Sequence, residues 1–251
     1  MKKITESDFK QYISSAGMNT GNRVYPLSIV EGFQSGDVFV NDDDAVDSVF
    51  FWHYCGFGYI TGKASNDFLN DIYALMMSGA DRRLILITDD ESVVSFFEDK
   101  DVQVFNRIEY RYAPGSSGTI SYNSERFRIV PIDAGNFSEI KGNIIPAFSW
   151  KSNEQFLDKG FGFVAVEGDN ICAVAFSAAV SAEEVDIGVE TLEDYRGNGL
   201  ASALAAKMCE QITSLGKKPV WAHAESNTGS GKTAVKCGFV EDRRNYCIRK
   251  K

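Results

Sequence analysis

The octapeptide Asp194-Tyr-Arg-Gly-Asn-Gly-Leu-Ala201 connects two segments of opposite periodicity. Before it, Val185 to Thr191 alternates like a β-strand; after it, Leu200, Leu204, Met208, Ile212 and Leu215 form an apolar stripe over roughly four helical turns, and Gly216 can end the helix. A strand therefore passes into an amphipathic helix through two glycines. Such a turn presents successive backbone N–H groups at a helix N-terminus, where unpaired donors and the macrodipole favour a phosphate or pyrophosphate. Taken alone, the same glycines also fit a plain β-to-α turn. The surrounding chain has to decide between the two.

That context is mixed α/β. Arg126 to Asp133 reads as a strand, and Phe137 to Phe148 and Asn153 to Leu157 read as two helical segments interrupted by Pro146. Phe161 to Glu167 and Ile171 to Val180 flank the hairpin signal Gly168-Asp-Asn170, and Val185 to Thr191 continues the meander. Beyond the amphipathic helix come a strand from Pro219 to Glu225, a short helix from Gly231 to Lys236 and a last strand from Phe239 to Ile248. The expected order in this half is β-α-α-β-β-β-α-β-α-β.

The other half is also α/β. Asp42 to Asp44 reads as an acidic turn and Ser48 to Ile60 as strand. Ser65 can cap a helix through Phe68, Leu69, Ile72, Leu75 and Met76 that Gly79 ends, and Leu84 to Ile87 reads as a buried strand. A short helix starts at Asp89 or Asp90, and Val102 to Tyr112 alternates like a strand. Pro114-Gly-Ser-Ser-Gly118 is the clearest small-residue linker, which places a domain boundary between residues 1–118 and 119–251. The aromatic runs Phe50-Phe-Trp-His-Tyr54 and Phe57 to Tyr59 fit either an acceptor pocket or plain core.

Several function classes drop out. A formal net charge of -9 leaves no basic footprint for nucleic acid and suits a cationic partner instead. No apolar stretch approaches a membrane span and the start of the chain lacks a targeting pattern, so the expected location is cytoplasmic. Cys55, Cys172, Cys209, Cys237 and Cys247 make no CxxC pair, which fits reduced thiols, and with only His53 and His223 beside them no metal site is expected. Ser226-Asn-Thr-Gly-Ser-Gly-Lys-Thr233 ends like a phosphate-binding loop, but Ser226 stands where the first glycine is needed and no strand follows that ends in a magnesium-binding Asp.

Two anchored motifs resemble the GNAT superfamily of acetyl-CoA dependent N-acyltransferases. Its pyrophosphate signature is matched by Arg196, Gly199 and Ala201; its downstream pattern of strand, Asn, short helix and Gly-Phe is matched by Trp221 to Glu225, Asn227, Thr233 to Lys236 and Gly238-Phe239. The run around Val189-Glu-Thr191 and the two-domain layout are similar to a bacterial subfamily whose members are mostly uncharacterised. The motifs cover about Phe127 to Arg249. The resemblance implies a mainly antiparallel sheet flanked by helices, preceded by a smaller α/β domain. It implies that Arg196, Gly197, Asn198, Gly199, Leu200, Ala201 and Ser202 hold the pyrophosphate of acetyl-CoA. Val189 to Thr191 would line the pantetheine and offer a backbone N–H to the thioester oxygen. Asn227 would hydrogen-bond the pantetheine arm, although an Asn in a turn also serves its own backbone.

The implied reaction transfers an acetyl group to a primary amine of a small molecule or peptide, and the resemblance also admits a homodimer. Deprotonating the amine needs a base, and strand alternation puts Glu184, Asp186, Gly188 and Glu190 on one side. Glu190 is the first candidate, with Asp186 and His223 behind it; against this, charges alternating along a meander also fit a solvated face, and His223 between two alanines fits a core residue. The family's thiolate-protonating tyrosine is replaced by Ala234. An acyl-CoA sensor without turnover, or an interaction protein with a decayed pocket, therefore stays open beside the enzyme.

Overall fold

A computed structural model describes residues 1–19, 22–41, 46–80 and 82–251. The acidic turn read at Asp42 to Asp44 lies outside the described residues. The chain divides into two compact units, Met1–Glu109 with Arg243–Lys251, and Tyr110–Asp242.

In the second unit the elements follow the expected order: β7 (Arg128–Pro131), α5 (Pro146–Ser149), α6 (Asn153–Lys159), β8 (Gly162–Glu167), β9 (Asn170–Val180), β10 (Glu184–Thr191), α7 (Leu200–Ser214), β11 (Lys218–Ala224), α8 (Thr228–Lys236) and the first residues of β12 (Phe239–Lys250). One local reading changes. Phe137–Glu139 is a 3-10 turn, and Pro146 opens α5 at its first turn instead of interrupting a longer helix, because a proline there loses no helical hydrogen bond. The segment Pro114-Gly-Ser-Ser-Gly118 lies within this unit and is tied to it: Ala113 N–H donates to the Gly238 carbonyl and Gly118 N–H to the Lys236 carbonyl, both at 2.9 Å.

β7, β8, β9 and β10 form an antiparallel meander, and α7 packs on it with Leu204, Ala205, Met208 and Ile212 buried. β10 then pairs with β11 in parallel, but only from Glu184↔Lys218 to Asp186↔Val220. At the same place the register with β9 shifts between Asp186 and Ile187, skipping Ala178. Such a bulge bends a strand. β10 continues to Thr191 and β11 to Ala224 beyond this last pair, so the two strands part and leave a wedge between them.

The first unit holds β1 (Lys2–Lys3), α1 (Ile13–Gly17), α2 (Val24–Val30), β2 (Gly36–Val40), β3 (Ser48–His53), β4 (Phe57–Gly62), α3 (Asn66–Met77), β5 (Ile85–Thr88), α4 (Glu91–Phe97) and most of β6 (Val102–Tyr112). The run read as one strand is two, folded back at residues 54–56. Gly56 has φ +97°, and a Cβ there would stand 2.5 Å from the Arg83 carbonyl, so the turn has room only for glycine. Ser65 caps α3 by accepting from Phe68 N–H at 3.2 Å, and Asp90 caps α4 by accepting from Ser92 N–H at 2.8 Å. Phe50, Phe51, Trp52 and Tyr59 are core residues, 5% exposed or less.

The two halves of the chain are built in one series. The order β1-α1-α2-β2-β3-β4-α3-β5-α4-β6 recurs as β7-α5-α6-β8-β9-β10-α7-β11-α8-β12. The pairing recurs too: β4 meets β5 in parallel at Phe57↔Ile85, as β10 meets β11, while the three preceding pairs are antiparallel. Sequence patterning did not reveal this repeat. Among the described residues no helix is long and apolar enough to cross a membrane, and no group of three or more His, Cys, Asp or Glu side chains is placed to hold a metal ion.

Candidate active site

The wedge between β10 and β11 opens into a cavity of about 660 Å³ in the second unit. Val189, Glu190 and Thr191 supply one wall and Trp221 another; Tyr195, Arg196, Gly197, Gly199, Leu200, Ala201 and Ser202 form the end at the start of α7. Gly197 and Gly199 have φ +83° and +78°. A Cβ on Gly199 would run into the Ser121 carbonyl, whereas nothing lies within 4 Å of one on Gly197. One glycine is thus fixed by packing behind the turn and the other by its conformation alone. α7 is the longest helix described, and its N-cap, Gly199, provides no side-chain hydrogen bond. α3, α4, α6 and α8 are all capped by their own side chains. No N-cap side chain accepts from the first N–H groups of α7, and a helix start of this kind favours an anion.

Not every residue of the expected cofactor set faces this space. Asn198 does not line it; its amide donates to the Tyr195 carbonyl at 2.9 Å and braces the turn. Asn227 does line it, while its Oδ1 accepts from Ser230 N–H at 3.2 Å and caps α8.

The three base candidates are separated. Glu190 lines the cavity, and its Oε2 accepts N–H groups from Asn143, at 2.8 Å, and from Ile144. Asp186 sits at the last position of β10 paired with β11, 3% exposed, and is not part of the lining. His223 is 6% exposed and also outside the lining. Its Nδ1 lies 2.8 Å from the Ala224 carbonyl; a carbonyl can only accept, so Nδ1 carries the proton and Nε2 accepts from the Tyr110 hydroxyl at 3.2 Å. The expectation of a solvated face fails at Asp186, which is buried within the β9-β10-β11 part of the sheet.

Ala234 is fully buried on α8, so no phenol occupies that position. Burial pushes the neighbouring Cys237 thiol up to about 11, which keeps it a protonated core group. Tyr195 does reach the cavity; its phenol is raised above the usual range, first by its hydrogen bond to the Cys172 thiol.

Asn143, Ile144, Trp221, Gly229, Ser230 and Thr233 complete the lining and were not singled out as site residues from sequence. The Ser226 to Thr233 segment did signal something: its Gly229 and Ser230 form the first turn of α8 at the cavity edge, and Trp221 Nε1–H donates to Ser230 Oγ at 3.1 Å. Gly231 is small for another reason, since a Cβ there would stand 2.9 Å from His223 Nε2. Asn143 and Ile144 carried no sequence signal, being brought to the site only by tertiary structure.

A sequence profile described as GNAT acetyltransferase matches residues 19–248. The chain belongs to the GNAT acetyltransferase family. The match spans both units, so the GNAT assignment is not confined to the half that bears the motifs. Among curated relatives, an uncharacterised N-acetyltransferase of Bacillus subtilis (strain 168), YdfB, is 26% identical over 223 residues, covering 86% of this chain and 85% of that protein. A GCN5-related N-acetyltransferase-like protein from Streptococcus suis 89/1591 superposes with a TM-score of 0.76 at 22% identity, covering 98% of this chain and 100% of the other. A tandem GNAT protein from the clavulanic acid biosynthesis pathway superposes with a TM-score of 0.65 at 11% identity, over 98% and 96% of the two chains. These GNAT folds share the mixed α/β, mainly antiparallel architecture.

Proposed function

We propose that the cavity binds acetyl-CoA and that the chain transfers its acetyl group to a primary amine of a small molecule or peptide. One observation carries the reading: the parting of β10 and β11 leads straight to an uncapped helix N-terminus with two positive-φ glycines, all within one cavity. The backbone of residues 197–202 supplies N–H groups and space for a pyrophosphate, the Arg196 N–H being donated to the Glu193 carbonyl. Beyond Asp186 the edge of β10 has lost its partner, which leaves backbone groups of Val189 to Thr191 directed into the wedge, where an N–H can stabilise charge developing on an acyl oxygen. Bound there, acetyl-CoA supplies the activated acyl carbon and a thiolate leaving group. The net charge of -9 favours approach of a cationic acceptor.

A second reading has its own support. With Ala234 in place of the expected tyrosine, the chain lacks the family's usual proton donor and would serve as an acyl-CoA sensor. Calorimetric titration with acetyl-CoA, followed by a free-thiol assay against a panel of primary amines, separates the two. Thiol release with any amine supports transfer; binding without release supports the sensor; absence of binding sinks both.

A further inference from the structure

We infer that Glu190 is a positioning residue, whose carboxylate holds residues 142–144 as a wall of the cavity and so selects which amines reach the acyl group. The inference rests on the acetyl-transfer reading of the site. Three contacts meet on this one side chain. Oε2 accepts the N–H of Asn143 at 2.8 Å and that of Ile144. Gly142, at φ +136°, passes so close that a Cβ there would stand 2.8 Å from the Glu190 carboxyl carbon and 3.0 Å from each oxygen. The carboxylate thus fills the space a side chain at 142 would need, and two successive N–H groups turn onto it.

The loop has little else to hold it at this point. Residues 141–144 are exposed, between buried Ile140 and buried Pro146. Two bonds to a charged acceptor are therefore a large part of what fixes the segment. What they fix matters, because Asn143 and Ile144 line the same cavity as Val189, Thr191 and the start of α7. Ile144 is 37% exposed and presents an apolar side chain at that wall. Oε2 of Glu190 is thereby committed to the loop, which supports a positioning role for this side chain rather than that of a base toward an incoming ammonium.

One oxygen accepts both N–H groups, so a neutral amide can do the same. Glu190→Gln keeps an acceptor and Glu190→Ala removes it. Amide hydrogen exchange on the intact chain reads the latch directly. Exchange at Asn143 and Ile144 should stay within about threefold of the parent in Glu190→Gln and quicken by about tenfold or more in Glu190→Ala. Gly142→Ala, which leaves Glu190 in place but crowds its carboxylate, should quicken it likewise. Acetyl-CoA affinity, by calorimetry, should stay within about twofold in all three, since the turn before α7 is untouched. With acetyl-CoA and the amine panel, Glu190→Gln should keep kcat within about threefold, while Glu190→Ala should raise the amine KM by about tenfold and narrow the rate differences between amines.

Equal exchange in all four proteins would overturn the latch. A loss of kcat as deep in Glu190→Gln as in Glu190→Ala would overturn the positioning role in favour of a base. If the parent releases no thiol with any amine, the transfer reading fails, while the exchange result still decides whether Glu190 holds the loop.

Discussion

The Tyr110 hydroxyl donates to Nε2 of His223 at 3.2 Å, and the two rings stack with centroids 5.4 Å apart and planes 27° from parallel. With Nδ1–H spent on the Ala224 carbonyl, both imidazole nitrogens are committed inside the second unit. His223→Ala should therefore act on stability, costing about 2–4 kcal/mol as a buried ring is removed. Tyr110→Phe should cost about 1 kcal/mol for the hydrogen bond alone. Urea unfolding midpoints measure both, and acetyl-CoA affinity should be almost unchanged in each.

Gly197 and Gly199 make a matched pair for testing the anion cradle. Both have positive φ, but only at Gly199 does a Cβ meet backbone, that of Ser121. Gly197→Ala should cost about 1–2 kcal/mol of stability from its conformation. Gly199→Ala should cost more and weaken acetyl-CoA binding at least about tenfold, because the turn must shift to clear the Ser121 carbonyl. A Gly199→Ala chain with parent affinity would remove this turn from the site.

Calorimetric titration should return one acetyl-CoA per chain even though the element series occurs twice. In the first unit the turn between β4 and α3 is only Lys63, Ala64 and Ser65, and Ser65 accepts the Phe68 N–H that a ligand would need. A stoichiometry of two would show that a side-chain cap does not close a helix start to an anion.

His53 predicts an acid limit to stability. It is fully buried and accepts the Cys55 N–H at Nδ1, at 3.1 Å; burial, and second the Arg82 guanidinium, lower it from 6.5 to about 3. The unfolded chain takes up this proton as pH falls through 6.5, whereas the folded chain stays neutral there until about 3. The contribution is thus complete above pH 6.5 and lost on acidification at about 1.4 kcal/mol per pH unit. Relative to the parent, His53→Leu should narrow its stability deficit by that slope between pH 6 and 4, measured by urea unfolding.

The second half of the chain was legible because its signals are local. Gly168-Asp-Asn170 marked a hairpin, Gly216 a helix end, and the stripe on α7 a period that holds from Leu200 to Ile212, while Leu215 is 51% exposed at the C-cap. The β3–β4 turn was not, because Tyr54-Cys-Gly56 carries no standard hairpin pair and its glycine is required by the close approach of the Arg83 carbonyl, 27 residues on. The cradle around Gly197 and Gly199 was readable for the same local reason. The partners of Glu190 were not: strand alternation places it on one side with Asp186, but Asn143 and Ile144 arrive at its carboxylate from 47 and 46 positions away. Asp186 shows the converse: it is buried, and its β11 register partner, Val220, lies 34 residues downstream.

The way β6 and β12 are shared out has a consequence for biosynthesis. β5 is paired through Ile85 to Thr88 with Tyr246 to Arg249 of β12, and those residues are counted in the first unit. A nascent chain that has emerged only as far as the Pro114-Gly-Ser-Ser-Gly118 segment carries every described helix of that unit but leaves one edge of β5 open. The part of the chain made first is thus completed only after residues 243–251 have been translated, and cutting the gene at the small-residue segment would yield a fragment with an unpaired strand edge exposed to aggregation.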